Sequence, residues 1–492
     1  MGNWLDNVVA FISPEKGYER EAWRQGLDGL RNYDAGDNGR LNANWRAIND
    51  SAENTDRYSR DTIRARARDL ERNSDMENAV IGAFKRNVVG GGYGLQARSE
   101  NEVINEKIEK YWKIWCKKNN CDVTATQNFN QILRMAVQRK KVDGGMLIHK
   151  TYTEGGIVPF KLQCLEVDEL DIMRITPTKS ENRVIGGIEY NSFNKAVGYH
   201  IKQYSLDGFS IQESKYIEAK DMIFYFSKKR PSQVREISDL CPTITRIRDV
   251  NEFMVAVSVK ERIMACLSAW IKKATPQGVG RGSSPDSGTG KYDYEGKSIT
   301  PGMIKYLNPG EELQVVNPSG QSAEATDYIK LNQRLISASQ GVSYEATSRD
   351  MAETNYSSAR QALIEDELTY TDEKELILEI MDEIYETFVI SGVLCGLFDI
   401  KDFWSRKDDY LMHEWIQTPK RWIDPAKEAT ANKTAINTGQ KTFKQIAAEN
   451  GKDWKEQLDD MAETLNYANE LGINLGGMLY AEKSKEKNGS AK

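Results

Sequence analysis

Residues 347–367 read TSRDMAETNYSSARQALIEDE (Thr347–Glu367). Arg349, Asp350 and Glu353 stand with small hydroxylic side chains just before a strong helical pattern. Two readings compete. Ser357 or Ser358 could act as a nucleophile beside Asp350 or Glu353. Alternatively, Asn355 is an N-cap, and a loop leads into the helix it starts. The nucleophile reading has no nearby His or Lys base and no G-x-S-x-G elbow.

Working outward, YSSARQALIEDELTYTDEKELILEIMDEIYETFVI (356–390) is a long helix. Ala362, Leu363, Leu368, Leu376, Ile380, Ile384 and Phe388 mark its buried stripe. The segment before it, ATDYIKLNQRLISAS (325–339), is a shorter helix. A breaker-free run from Pro242 to Trp270 predicts another, roughly 40 Å long, with Pro242 in its first turn. Between the two lies a Gly/Ser/Pro-rich loop at 275–290 and a pair of short strands at 303–316 around NPGEE. GTGK at 288–291 lacks the full phosphate-loop pattern.

Residues 146–227 alternate with period two and read as strands holding His149 and His200 as structural residues. Helices flank them. Ser99/Glu102 and Thr124/Gln127 are read as capping boxes. Three glycines end a helical region that begins at Arg57. The fold class is therefore α+β. The C-terminal region, from about Asp424, reads as small helices, with Thr442 capping one of them and a charged tail after them.

Length and composition set limits. A chain of 492 residues exceeds one compact core. The balance of 67 basic and 73 acidic residues gives net −6, which argues against a protein that grips nucleic acid tightly by its phosphates. Six scattered cysteines without a CxxC pair read as free thiols. Three histidines, far apart in sequence, supply neither a metal site nor a triad well. No cofactor or metal is expected. The opening MGNWLDNVVAFISPEKGYER carries an acid within its apolar run and is not read as a secretory leader. No run approaches ~18 apolar residues, so no membrane span is expected.

Arg57, Arg60, Arg64, Arg68 and Arg72 recur at steps of three or four and share one helix face. They read either as a basic stripe for an acidic partner or as a solvated face balanced by Asp61, Asp69 and Glu71.

As an ordered set these residues resemble the lambda-type family of tailed-phage portal proteins. The resemblance is carried by NYDAGDNGR, ARARDLERNSDMENAVIGAFKRNVVGGGYGLQA, LQCLEVDEL, GGIEYNSFNKAVGYHI, KKRPSQVREIS, TSRDMAETNYSSARQAL and RWIDPAKEATANKTAINTGQKTFKQIAAENG. It implies a portal-type fold with a mixed α/β wing, long stem helices, a small β-containing clip and a helical crown. It also implies a cyclic homo-oligomer, usually a dodecamer, around an axial channel at one capsid vertex. Double-stranded DNA would pass through without sequence specificity. Terminase, a head-completion adaptor, the major capsid protein and scaffold would be partners. The location would be the virion vertex, and the host cytoplasm during assembly.

On helix lengths, the map is an extended arm at 1–55, wing at 56–240, first stem helix at 241–270, clip at 271–325 and second stem helix at 326–341. A channel loop follows at 342–355, then the long helix and the rest of the wing at 356–425, crown at 426–482 and a disordered tail at 483–492. In the arm, Tyr33 and Trp45 would be anchors. The channel loop would present Ser343, Tyr344, Glu345, Thr347, Arg349, Asp350, Glu353 and Asn355 to DNA. Its three acids against one arginine suit a wall that repels phosphates. The clip would meet its partners through Lys273, Arg281, Asp286, Lys291, Glu311 and Glu312. The Arg57–Arg72 stripe and Arg360 are candidates for contacts between subunits. One departure stands out: the family often has glycine before the aspartate where this chain has Arg349-Asp350. The alternative function is a metal-dependent nuclease or hydrolase built on Asp350, Glu353 and Ser357.

Overall fold

The computed structural model describes residues 47–204, 211–265, 269–273, 311–315, 322–417 and 425–473, together with 4, 9, 11–20 and 23. The chain divides into two units, 1–55 and 56–492. In the first, positions 14–20 are helical and Phe11, Ile12 and Tyr18 are exposed. Tyr33 and Trp45 lie outside the described residues.

In the second unit, α1 (Arg60–Asn73) and α2 (Asp75–Phe84) meet at Ser74, whose hydroxyl accepts from the Glu77 N–H. A π-helical turn at Lys85–Val89 and the glycines at 90–92 lead into β1 (Tyr93–Ala97). Next come α3 (Glu102–Trp115) and α4 (Phe129–Asp143). Strands β2 (Gly145–Tyr152), β3 (Phe160–Leu165), β4 (Arg183–Ile185), β5 (Ile188–Tyr190), β6 (Ala196–Tyr204), β7 (Ile211–Glu218) and β8 (Met222–Phe226) follow. They form two antiparallel sheets, ordered β3-β2-β8 and β4-β5-β6-β7.

After these come α5 (Ile244–Ala265), β9 (Ala269–Lys273), β10 (Glu311–Val315), α6 (Ser322–Ser339), α7 (Tyr344–Ser348) and α8 (Tyr356–Leu394). The last elements are β11 (His413–Gln417), α9 (Pro425–Asn437), α10 (Phe443–Glu449) and α11 (Trp454–Glu470). β11 pairs antiparallel with β1, and β9 with β10, placing Lys273 opposite Glu311.

The main core gathers α1–α4, the β2 sheet and the C-terminal two-thirds of α8. Trp112 and Trp115 of α3 anchor it. Trp115 stacks on Phe160 at 5.4 Å between ring centroids, and its indole N–H donates to the Phe160 carbonyl at 3.0 Å. Burying the indole is thereby compatible with its polar edge. A second, smaller core lies between β5–β7 and Leu147, Leu170 and Met222. His200 is buried there beside Glu189, at 3.4 Å. The crossing of α11 onto the β1–β11 ribbon is held by Arg98, 3.1 Å from both Asp453 and Glu414.

Several local expectations change. The cap of α3 is Asn101, accepting from the Ile104 N–H, because Ser99 is engaged by Asn105 and Glu102 pairs with Lys455. The cap of α4 is Asn128, in a box with Gln131. Thr124 and Gln127 cannot open that helix, since the Asp122 carboxylate gathers the N–H groups of Thr124, Thr126 and Gln127 into a turn. Pro242 stands in the turn before α5 and Trp270 lies in β9, so the helix from Pro242 to Trp270 is shorter than its breaker-free sequence suggests. Along α8, Ile380, Ile384 and Phe388 are buried as expected, whereas Leu363 and Leu368 are half exposed or more.

Candidate functional site

The loop between α6 and α8 is built by reciprocal ties rather than left free. At the end of α6, Gly341 turns the chain with φ +72°, a conformation that favours glycine. Its carbonyl accepts from the Thr369 hydroxyl at 2.5 Å. Two residues on, the N–H and hydroxyl of Ser343 donate to the two oxygens of the Asp366 carboxylate at 2.6 and 2.7 Å. The same Ser343 hydroxyl caps α7 by accepting from Ala346 N–H. Ser337 of α6 and Thr347 of α7 share a hydrogen bond at 2.7 Å. Glu345 accepts from Thr354 at 3.3 Å, closing the loop on itself.

Arg349 ends α7 in the left-handed region, φ +58° and ψ +19°, with its N–H on the Glu345 carbonyl. That is the helix-ending conformation glycine adopts without strain. The glycine that the resemblance implies before Asp350 would suit this backbone. Its side chain is exposed. Asn355 caps α8 by accepting from Ser358 N–H at 2.9 Å.

Part of the loop's charge is paired, unlike the sequence expectation. Glu353 faces Lys330 at 3.0 Å and Arg334 at 3.6 Å, both on α6. Arg334 also lies over the Tyr344 ring, 5.5 Å from its centroid. These two cations pair with Glu353, so that acid does not face solvent as a free charge, although Glu324 and Asp327 of α6 leave the loop and the helix together acidic.

No catalytic constellation accompanies these side chains. Asp350 accepts from Ala352 N–H, Glu353 is spent on α6, and the Ser358 hydroxyl donates to Asn355. Among the described residues no group of three or more His, Cys, Asp or Glu side chains converges as a metal site. The nuclease or hydrolase alternative is left without support.

The arginine stripe is mostly internal. Arg60 donates from Nε to the Glu236 carbonyl at 3.1 Å. Arg64 is buried and pairs with Asp61, with Glu236 at 3.2 Å and with Asp168 at 3.2 Å. Arg68 meets Asp143 and Asp168 at 2.6 Å and Glu166 at 3.2 Å. Burial alone would depress the Arg68 guanidinium, but Asp143 and Asp168 outweigh it and hold it above its ordinary range. Their charge is used to fasten α1 to the segments around 166–168 and 236. Only Arg57, which is outside α1 and beside Tyr58, and Arg72, beside Asp69, stand out in solvent. The expected contact surface between subunits is therefore not this stripe as a whole. Arg360 is exposed on α8.

Of the clip candidates, Lys273, Glu311 and Glu312 fall in the β9–β10 ribbon; Arg281, Asp286 and Lys291 lie outside the described residues.

A buried cluster that the sequence did not disclose ties these parts together. Asp239, just before α5, meets Lys140 at 2.9 Å, Lys141 at 3.5 Å and Lys229 at 2.8 Å. Glu373 of α8 meets the same Lys140 and Lys141 at 2.7 and 3.0 Å. The Gln340 side chain, just past α6, donates to the Asp239 carbonyl at 3.0 Å. Burial would raise the Asp239 carboxyl; the three lysines outweigh it and hold it well below the usual carboxylate range. The start of α5, the end of α6 and the middle of α8 thus meet α4 at one point. KKRPSQVREIS holds Lys229, but no spacing rule links it to a helix ninety residues away.

Residues 38–373 match the family described as "Phage portal protein, lambda family". The chain belongs to that family. The match spans α1 through the first half of α8, including the loop and the buried cluster. Among curated relatives, the portal family member is 24% identical to the "Probable portal protein" of Halomonas phage phiHAP-1, over 88% of this chain and 86% of that one. It is 20% identical to "Portal protein B" of Escherichia phage lambda, over 80% and 81%. It is 21% identical to the "Portal protein" of Escherichia phage N15, over 88% and 90%. Among solved structures it is similar to a chain of "Neck of native GTA particle computed with C12 symmetry", at 11% identity and TM-score 0.44, covering 78% of this chain and 93% of that one.

Proposed function

We propose that this portal protein forms a cyclic ring, a dodecamer by family resemblance, at one capsid vertex, and that double-stranded DNA is packaged and ejected through its channel. It acts by geometry and not as an enzyme. The family match across residues 38–373 carries this reading. In it, α5 and α6 are the stem, the segment between them the clip that meets terminase and later the head-completion adaptor, and the loop 342–355 the channel lining. The helices from 426 are the crown. Assembly takes place in the host cytoplasm with major capsid protein and scaffold, and the finished ring resides in the virion.

A channel for moving DNA must bind phosphates weakly, since each retained phosphate contact adds a salt-dependent holding energy. Pairing Glu353 with Lys330 and Arg334 fits that need: the two cations are engaged by an acid of the wall and are not offered singly to phosphate, while the loop and α6 together stay acidic. Arg349 is the exposed cation left for brief contacts. The experiment is in vivo packaging and DNA retention with Glu353→Ala and Arg349→Ala chains. Glu353→Ala frees Lys330 and Arg334 and slows DNA passage; wild-type packaging and retention in both variants would contradict the placement of the loop in the channel.

A further inference from the structure

The N-terminal part of α8 buries nothing. From Ser357 to Glu365 no side chain is buried, although Leu363 and Ile364 are among them, each 50% exposed. Leu368, one turn on, is 63% exposed. α6 has a matching surface: of residues 325–335 only Asn332 is buried, while Leu331 and Leu335 are exposed. Two separate apolar helix faces left open on one chain call for a partner.

Their charges are complementary. Asp327, Leu331 and Leu335 follow at i, i+4 and i+8 on α6, so they share one face. Arg360, Ile364 and Leu368 follow with the same spacing on α8. Each stripe thus begins with a charge of opposite sign, one turn before its first apolar residue. Asp327 and Arg360 are both exposed, and neither has an ion-pair partner among the described residues. A cyclic ring needs two different faces on each subunit that fit one another.

We propose that the Asp327–Leu331–Leu335 face of α6 receives the Arg360–Ile364–Leu368 face of α8 from the next copy of the chain. This rests on the ring assembly proposed above and names the surfaces that close it. Charge and apolar positions match when the two helices run in the same direction, with Asp327 against Arg360, Leu331 against Ile364 and Leu335 against Leu368.

The test reverses each charge alone and both together in the full-length chain, and reads the ring fraction by mass photometry at moderate salt. Asp327→Arg and Arg360→Asp each place like charges face to face at every interface and lower the ring fraction about tenfold. The double reversal restores it. Both residues are exposed, so the far-ultraviolet circular dichroism spectrum of each variant matches the wild type and shows that the chain still folds. A second measurement does not depend on charge: oxidising a Leu335→Cys, Leu368→Cys chain gives a ladder of covalent oligomers that neither single cysteine gives. Wild-type rings that persist through both single reversals, a double variant no better than its parents, or a disulfide formed within one chain would each overturn this pairing and leave the ring itself standing. A wild-type chain that forms no ring overturns the assembly and the pairing with it.

Discussion

The Asp366 carboxylate on α8 takes both hydrogen bonds that Ser343 can donate, at 2.6 Å from its N–H and 2.7 Å from its hydroxyl. One buried acid on the long helix therefore fixes where the loop begins, 23 residues earlier in the chain. The loop proposed to line the channel is hung from the helix that follows it.

Removing that tie has a local and a global signature. Asp366→Ala leaves the Ser343 N–H without that partner in a half-buried place and costs about 1–3 kcal/mol. Thermal unfolding shows the loss, and amide exchange locates it at 341–348. Unchanged exchange there would mean that the Thr369 and Thr347 contacts alone suffice.

Arg349 holds a left-handed backbone at φ +58°. Arg349→Gly relieves that strain and stabilises the fold by about 1 kcal/mol at most, since the glycine also gains freedom in the unfolded chain. Arg349→Val, branched at Cβ, destabilises it. Melting temperatures of the two variants should fall on opposite sides of the wild type.

Glu77 is fully buried in the first turn of α2, and neither carboxylate oxygen has a hydrogen-bond partner. Burial first, then the nearby Glu71 and Asp69, push its carboxyl from 4.5 up to about 8. Below 4.5 the group is protonated in folded and unfolded chains alike and its effect is absent. Between 4.5 and about 8 the unfolded chain loses the proton and the folded chain keeps it, so this residue lowers stability progressively as pH rises. Above about 8 the penalty is constant. Glu77→Gln should match wild type near pH 4 and exceed it by a few kcal/mol, on the order of 3, near pH 8. A difference independent of pH would show that Glu77 is not held protonated.

The Asp239 cluster predicts a larger effect. Asp239→Ala leaves Lys140 and Lys141 buried with Glu373 as their remaining acid, and costs about 3–5 kcal/mol. The loss is read by chemical denaturation. Gln340 donates to the Asp239 backbone carbonyl, which alanine keeps, so exchange should rise at the start of α5 and around Glu373 of α8 while the end of α6 stays held. An equal rise at the end of α6 would show that the charged cluster, and not that hydrogen bond, fixes α6.

Local chemistry was legible where it is decided by neighbours in sequence. Asn355 was identified as a cap because a cap needs only its own side chain and the next turn. The boxes at Ser99 and Thr124 were misplaced for the converse reason. Asn105 and Asp122 claim those groups through side chains that simple spacing rules do not weigh. The Arg60–Arg72 spacing was visible, yet apart from Asp61 the acids that neutralise Arg64 and Arg68 lie far along the chain, at 143, 166, 168 and 236. Glu353 was counted as repelling charge because its partners Lys330 and Arg334 lie a full loop earlier. Trp270 continued an apolar, breaker-free run, and nothing in that run distinguishes the end of a helix from the start of a strand. The exposed Leu363 and Leu368 fit a buried helical stripe equally well, since period alone does not say how far along a helix its own chain packs against it.

The central claim is the ring. Negative-stain electron microscopy of the purified full-length chain should show closed rings of about twelve subunits around a central channel, as the family implies. A population that stays monomeric at every concentration and salt tested would contradict it.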